Sequence, residues 1–161
     1  MLPIPTKFTL VVGHGEGDKK LTAFDAALLD AGIGNMNLLR VSSVLPPKCA
    51  FENVFKLPAG SLLPIAYGSL TSDVPGEIIS AAIGVGIPED PSSFGMIMEF
   101  SGFCTKDEAA LKVEEMVREA FAMRSLALKE VKVKSIEHKV ERCGSVIAAC
   151  PLFYETTGGG Y

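Results

Sequence analysis

The stretch "GEIISAAIGVGIP", Gly76 to Pro88, decides the fold. Its alanines and isoleucines suit either a buried helix or a buried strand. Gly84 and Gly86 tip the reading to strand, because each costs a helix interior about 1 kcal/mol while permitting close approach across a sheet. Turn clusters bound it on both sides, "DVPG" at 73–76 and "PEDPSS" at 88–93. Beyond them, "LLPIAYGSLTS" (62–72) and "FGMIMEFSG" (94–102) also read as strands. The centre of the chain is therefore a run of strands.

Towards the C-terminus, residues 105–126 predict a helix that covers a sheet. Thr105 and Glu108 form a capping box, and Leu111, Met116, Val117, Ala120 and Phe121 recur on one face. "LKEVKVKSIEHKVE" (128–141) alternates with period two, and "GSVIAACPLFY" (144–154) is a final strand. The tail "ETTGGGY" (155–161) has nothing to bury and is expected to fray.

Towards the N-terminus, "MNLLRVSS" (36–43) predicts a short buried strand, followed by an irregular, proline-rich surface connection over 45–61. Upstream of it, "LTAFDAALLDAGIGN" (21–35) predicts a helix with Thr22 as N-cap, Asp25 at N3 and Gly32 as the stop. Phe24, Leu28 and Leu29 fall at helical spacing there. "KFTLVV" (7–12) predicts a strand, and "GHGEGDKK" (13–20) an exposed loop. The order β-α-β-β-β-β-α-β-β implies one domain over residues 1–161, an α/β (α+β) sandwich of stacked sheets with helices outside.

Composition removes several function classes. The 161 residues carry a net charge of −4, from 15 basic and 19 acidic side chains, with the basic ones scattered, which leaves no footprint for nucleic acid. The longest apolar run, residues 78–88, falls short of the roughly 20 residues of a membrane-spanning helix. With no leader pattern at the start, a cytoplasmic location is expected. Cys49, Cys104, Cys143 and Cys150 lack CxxC spacing, and His14 and His138 stand apart from them, so no metal site is expected. Cys143 and Cys150 read as small buried hydrophobes, without a disulfide. "GHGEG" matches neither GxGxxG nor GxxxxGK[ST] and reads as a turn, with His14 facing solvent.

One motif remains, "NLLRVSSVLPPKC" (37–49), in which a strand stops on Ser42 and Ser43 just before Pro46 and Pro47. No GxSxG elbow supports a hydrolase. A different chemistry needs only the peptide bond between the serines. The Ser43 hydroxyl attacks the Ser42 carbonyl, and the ester undergoes β-elimination and hydrolysis. The chain is cut and residue 43 becomes an N-terminal pyruvoyl group, a ketone that can form a Schiff base with an amine and accept electrons on loss of carbon dioxide. Strain at a strand end stiffened by the prolines would assist the attack. The plainer alternative is a strand cap beside a turn.

"TAFDAALLDAGIGNMNLLRVSSVLPP" (22–47) resembles the pyruvoyl-dependent arginine decarboxylases, and so do residues 57–88, "GMIMEFSG" (95–102) and "EHKVERCGSVIAAC" (137–150). The resemblance implies a cut between Ser42 and Ser43, giving a small chain 1–42 and a pyruvoyl-bearing chain 43–161 that stay packed together. It also implies a homotrimer with sites between neighbours, converting arginine to agmatine on the way to polyamines, with neither pyridoxal phosphate nor a metal.

Roles follow from the same resemblance. Asp25 would meet the guanidinium of arginine, for which a carboxylate offers two-point pairing; its structural alternative is a capping carboxylate. Glu99 would be the proton donor, kept protonated by burial, unless it simply faces outward. Asn37 would polarise the scissile carbonyl, or else bond to backbone at a strand edge. Leu28, Gly34, Met36 and Ile97 would line the slot for the aliphatic stem, where ordinary proteins have core. Two other readings stay open: a pyruvoyl decarboxylase for another basic amino acid, and a non-catalytic trimeric binding protein.

Overall fold

The structure, a computed structural model, describes residues 2–154; the tail expected to fray, 155–161, lies outside them. In chain order the elements are β1 (Lys7–Phe8), β2 (Val11–Glu16), α1 (Lys20–Asp30), β3 (Asn37–Arg40), β4 (Val44–Leu45), β5 (Ala50–Phe51), β6 (Leu62–Ser72), β7 (Ile78–Pro88), β8 (Gly95–Gly102), α2 (Lys106–Met123), β9 (Leu128–Lys139) and β10 (Gly144–Phe153). One sheet runs β3-β6-β10-β1-β5, with β2 also paired to β10; the other runs β4-β8-β7-β9.

The sheets stack face to face with one helix outside each, an α/β/β/α sandwich as the sequence predicts. Alternation along the strands builds its three apolar layers. Ala81, Ile83 and Val85 of β7 and Val146, Ala148 and Cys150 of β10 fill the space between the sheets. On its other face β10 presents Ile147 and Ala149 to Ala27 and Ala31 of α1. Ala82 packs against Ala109 and Val113 of α2, and Met96 packs with Val117, Ala120 and Phe121. Cys143 and Cys150 are buried, as expected of small hydrophobes. No helix among the described residues is long and apolar enough to cross a membrane.

The segment 76–88 is a strand for the anticipated reason. A Cβ at Gly84 would stand 2.3 Å from Val113 Cγ1, and one at Gly86 would stand 2.4 Å from Phe121 Cε2, so α2 rests directly on the glycine positions. The capping box is also present: the Thr105 N–H donates to Glu108 Oε2 at 2.8 Å and the Glu108 N–H to Thr105 Oγ1 at 3.3 Å. Leu111 departs from its expected place and is 63% exposed, because Ala109 and Val113 carry that part of the buried face.

Five local expectations are corrected. "KFTLVV" breaks into β1 and the start of β2. Instead of an exposed loop, "GHGE" continues β2, which pairs antiparallel with β10 from Val11↔Ala149 to Glu16↔Gly144. Gly13, Gly15 and Gly17 face α1, where a Cβ would meet Ala27 O at 2.2 Å, Ala26 Cβ at 2.6 Å and Ala23 N at 2.4 Å. The opposite face carries His14 and Glu16. His14 is not an isolated solvent-facing side chain, since its Nδ1 lies 2.9 Å from His138 Nδ1 on β9.

α1 starts at Lys20 with Lys19 as N-cap, so Thr22 sits at N3 and accepts the Lys19 N–H at 3.0 Å. Asp25 therefore lies in the second turn and caps nothing. The helix does stop at Gly32, whose φ is +80°, with Gly32 N–H donating to Leu29 O and Ile33 N–H to Leu28 O, the Schellman arrangement. β3, finally, is an exposed edge strand, since it pairs with β6 alone.

Candidate active site

The strand ends on a serine pair because the chain changes sheets there. β3 belongs to the first sheet, and its ladder runs one residue further through the Val41 N–H, which donates to Ile65 O at 3.0 Å. β4 belongs to the second sheet, in register Val44↔Met96. Ser42 and Ser43 span the gap, Ser42 exposed and Ser43 partly buried. The Ser43 carbonyl accepts the Ile97 N–H at 2.7 Å. Both flanks of the 42–43 peptide are thus pinned by ladders of different sheets.

The expected source of stiffness differs. Pro46 takes part in a turn closed by the Cys49 N–H to Pro46 O at 3.2 Å. Among the described non-glycine residues, left-handed φ values occur at Lys48 and Ser125 and not at Ser42 or Ser43. The hold on the peptide comes from the two ladders, with no left-handed strain at Ser42 or Ser43.

Glu99 follows two residues after Ile97 on β8, on the face that looks toward the first sheet. The sheets approach closely at this point: a Cβ on Gly68 of β6 would lie 3.2 Å from Glu99 Cβ. Burial raises the Glu99 carboxyl above the usual carboxylate range, although Arg40 beside it pulls the other way. The direction agrees with the expectation for an acid that must hold a proton near neutral pH.

Arg40 and Tyr67 are two site residues that the sequence reading passed over. Arg40 Nη2 lies 3.7 Å from Glu99 Oε1 and donates to Tyr67 O at 2.9 Å, while its Cζ stands 4.4 Å over the Tyr67 ring. The only available signal was an arginine two positions before the serine pair. Tyr67 had no local signal, being joined to the site solely through β3–β6 pairing.

The other expected site residues gather elsewhere. Asn37 opens β3, and its Nδ2 donates to Gly60 O at 3.0 Å. It stands five residues before Ser42 along an extended chain, roughly 16 Å away at about 3.3 Å per residue. Asp25 is exposed on α1 and has no hydrogen bond or ion pair among the described residues; it lines a groove with Leu21, Thr22, Phe24 and Leu28. Leu28 and Met36 pack against the layer beneath α1. At Gly34 a Cβ would meet Leu29 Cδ2 at 2.6 Å, so only glycine fits. Ile97 is completely buried between the sheets, and what it offers the serine pair is its backbone N–H.

The described residues of one chain therefore hold two separate clusters. Ser42, Ser43, Ile97, Glu99, Arg40 and Tyr67 form one; the α1 groove of Phe24, Asp25 and Leu28 forms another, and Asn37 stands apart at the start of β3. Phe24 and Tyr67, with ring centroids 6.3 Å apart, link them.

Fold and site together describe a four-layer α+β protein whose reactive groups surround a serine pair at the junction of two sheets. Comparison with known proteins then places it. The profile of the pyruvoyl-dependent arginine decarboxylases matches residues 7–157, and the chain belongs to that family. A pyruvoyl-dependent arginine decarboxylase of Methanocaldococcus jannaschii is 49% identical over 152 residues, 94% of this chain and 92% of that one. One from Pyrococcus abyssi is 44% identical over 92% of this chain and 96% of its own. Among solved structures, a pyruvoyl-dependent histidine decarboxylase at pH 8 matches with a TM-score of 0.48 and 17% identity, over 59% of this chain and 52% of that one.

Proposed function

We propose that this chain is a self-processing decarboxylase that converts arginine to agmatine and carbon dioxide with a pyruvoyl group made from its own Ser43. The observation that carries the reading is the crossover itself. Ser43 follows a carbonyl held between two sheets, and Glu99, an acid whose burial favours the protonated form, lies two residues along the strand that pins it.

In the cut, Ser43 Oγ attacks the Ser42 carbonyl and the amide becomes an ester with a free amine on residue 43. β-Elimination removes the Cα proton of residue 43 and breaks its Cβ–Oγ bond, which leaves a carboxylate on Ser42 and an enamine at residue 43; its imine tautomer takes up water, releasing ammonia and leaving the pyruvoyl ketone. The products are chains 1–42 and 43–161. They stay together because β3 of the small chain is laddered to β6 of the large one, and β1 and β2 to β10. The Ser43 site suits the group, since partial burial leaves room for a substrate amine at a backbone already anchored through Ile97. Once formed, the ketone supplies an electron sink for an amino acid losing carbon dioxide.

Asp25 faces solvent with no cation paired to it among the described residues, so it is available for a planar two-point contact with a guanidinium. Glu99 returns a proton to the substrate carbon. Roughly 16 Å of extended chain separates Asn37 from its own scissile bond, and this supports a homotrimer with sites between subunits, in which Asn37 and the α1 groove serve a neighbouring protomer. Exposed Leu21 and Leu29 on α1 and Leu62 on β6 supply apolar contact for such packing. A cytoplasmic location suits four free thiols.

Intact-mass measurement under denaturing conditions tests the cut: two fragments meeting between 42 and 43 are expected, the larger bearing a ketone at its N-terminus. Ser43→Ala should remain whole and inactive, and an active uncut variant would overturn the reading. Asp25→Asn should raise the KM for arginine while leaving the cut intact. Arginine should be used well ahead of lysine and ornithine, which lack the planar fork.

A further inference from the structure

Arg40 occupies an unusual position for a charge near a proton donor. Its guanidinium is fixed by the Tyr67 carbonyl at 2.9 Å and the Tyr67 ring at 4.4 Å, so it cannot swing away freely. It reaches Glu99 at 3.7 Å, close enough for ion pairing but outside a short hydrogen bond. Arginine has five N–H donors, and further ones remain for a second acceptor. The Val41 N–H continues the β3 ladder, so the chain from Arg40 to the Ser42 carbonyl is extended. Two residues of extended chain span at most about 7 Å, within the reach of an arginine side chain.

We infer that Arg40 is a positioning residue that pairs with Glu99 in the uncut chain and is shared with the new carboxylate of Ser42 after the cut, so that maturation strengthens the hold of Glu99 on its proton. The inference rests on the proposed cut between Ser42 and Ser43. Before the cut, one cation faces one anion. Cleavage adds a second anion beside the same cation. Of the two carboxyl groups the chain-terminal one is intrinsically the stronger acid and sits at exposed Ser42, whereas Glu99 is half buried, so the proton settles on Glu99. Around Glu99, β6 contributes Gly68 and β7 its register partner Ile83, beyond which β9 places Lys134 on the same face. Among the described residues Arg40 on β3 is the charged group within ion-pairing distance. A proton donor is needed only once the electron sink exists, and this arrangement ties the two together.

The test is a carboxyl-carbon NMR titration of Glu99, assigned by its loss in Glu99→Gln, in four proteins. Uncut Ser43→Ala should titrate lowest. Uncut Ser43→Ala/Arg40→Gln and cut wild type should both titrate higher, by about half to one pH unit. Ser43→Ala/Arg40→Lys, which keeps the charge, should return towards the low midpoint. Equal midpoints with and without Arg40 in the uncut background would overturn the inference, as would equal midpoints in cut and uncut protein. A wild type that never cuts would defeat the proposed function instead, and intact mass reports that separately. In the cut enzyme, Arg40→Gln should also carry the alkaline decline of kcat to higher pH.

Discussion

The two helices rest on their sheets by the same device, carried out in different materials. Under α2, Gly84 and Gly86 of β7 make room for Val113, Val117 and Phe121, so side chains fill the space. Under α1, Gly13, Gly15 and Gly17 make room for Ala23, Ala26 and Ala27, and the nearest atoms at Gly13 and Gly17 are backbone. The first contact is a packed apolar interface that can readjust. At the second, a helix backbone lies against a strand backbone with nothing adjustable between them. α1 also carries Asp25, so this rigid contact positions the groove proposed for the guanidinium.

The contrast can be broken most directly at Gly13. Gly13→Ala should cost about 3 kcal/mol or more, at or beyond the upper end of ordinary overpacking, because Ala27 O and Ala31 N cannot rotate aside. Denaturant unfolding measures this, and any folded fraction should show a raised KM for arginine as α1 is displaced. A cost under 1 kcal/mol would mean that α1 is free to lift. Gly84→Ala should cost less, about 1–3 kcal/mol, since Val113 Cγ1 is the obstacle. Adding Val113→Ala should recover part of that loss, whereas no side-chain truncation is expected to rescue Gly13→Ala. Failure of the double variant to recover any stability would put the two contacts in the same class.

The smallest effect concerns the outer faces of the same strands. Behind the glycines β7 presents core, while β2 presents His14 and Glu16 to β9. Burial alone would raise the Glu16 carboxyl, but N–H groups of Glu141 and Arg142 donate to it and His138 lies 3.5 Å away, and together they hold it below the usual range. A carboxyl depressed in the folded state stabilises the fold above its unfolded value near 4.3 and loses that contribution as pH falls through the folded value. Stability should therefore decline on the acid side of about pH 4.3, and Glu16→Gln should flatten that part of the curve. An unchanged acid slope in the variant would show that the contact between β2 and β9 does not depend on this charge.

The glycine pairs also show why one strand was legible and the other was not. Gly84 and Gly86 lie within a long apolar run, and the surrounding isoleucines and alanines announce a buried strand. Gly13 and Gly15 alternate with His14 and Glu16, so neither face of β2 looks apolar, and the pattern imitates a turn. The information that makes β2 a strand sits in the alanines of α1 and in β10. The same holds for the α1 N-terminus, where Thr22 resembled an N-cap although the helix begins two residues before it. At the site, Ser43 and Glu99 were legible as chemistry, and the direction of the Glu99 shift agrees with its burial. Arg40 went unread because its partners come from β6 and β8, distant in sequence.

By itself the sequence determined the two helices, the long strands, the layered α+β class, the family, and the serine pair with its carboxyl. These rest on local periodicity, caps and short-range motifs, which neighbouring residues encode. Tertiary structure alone decided that the serines bridge two sheets and that Arg40 stands between Tyr67 and Glu99. Each of these depends on which strands pair and how closely sheets approach, and such pairings are made by residues far apart along the chain.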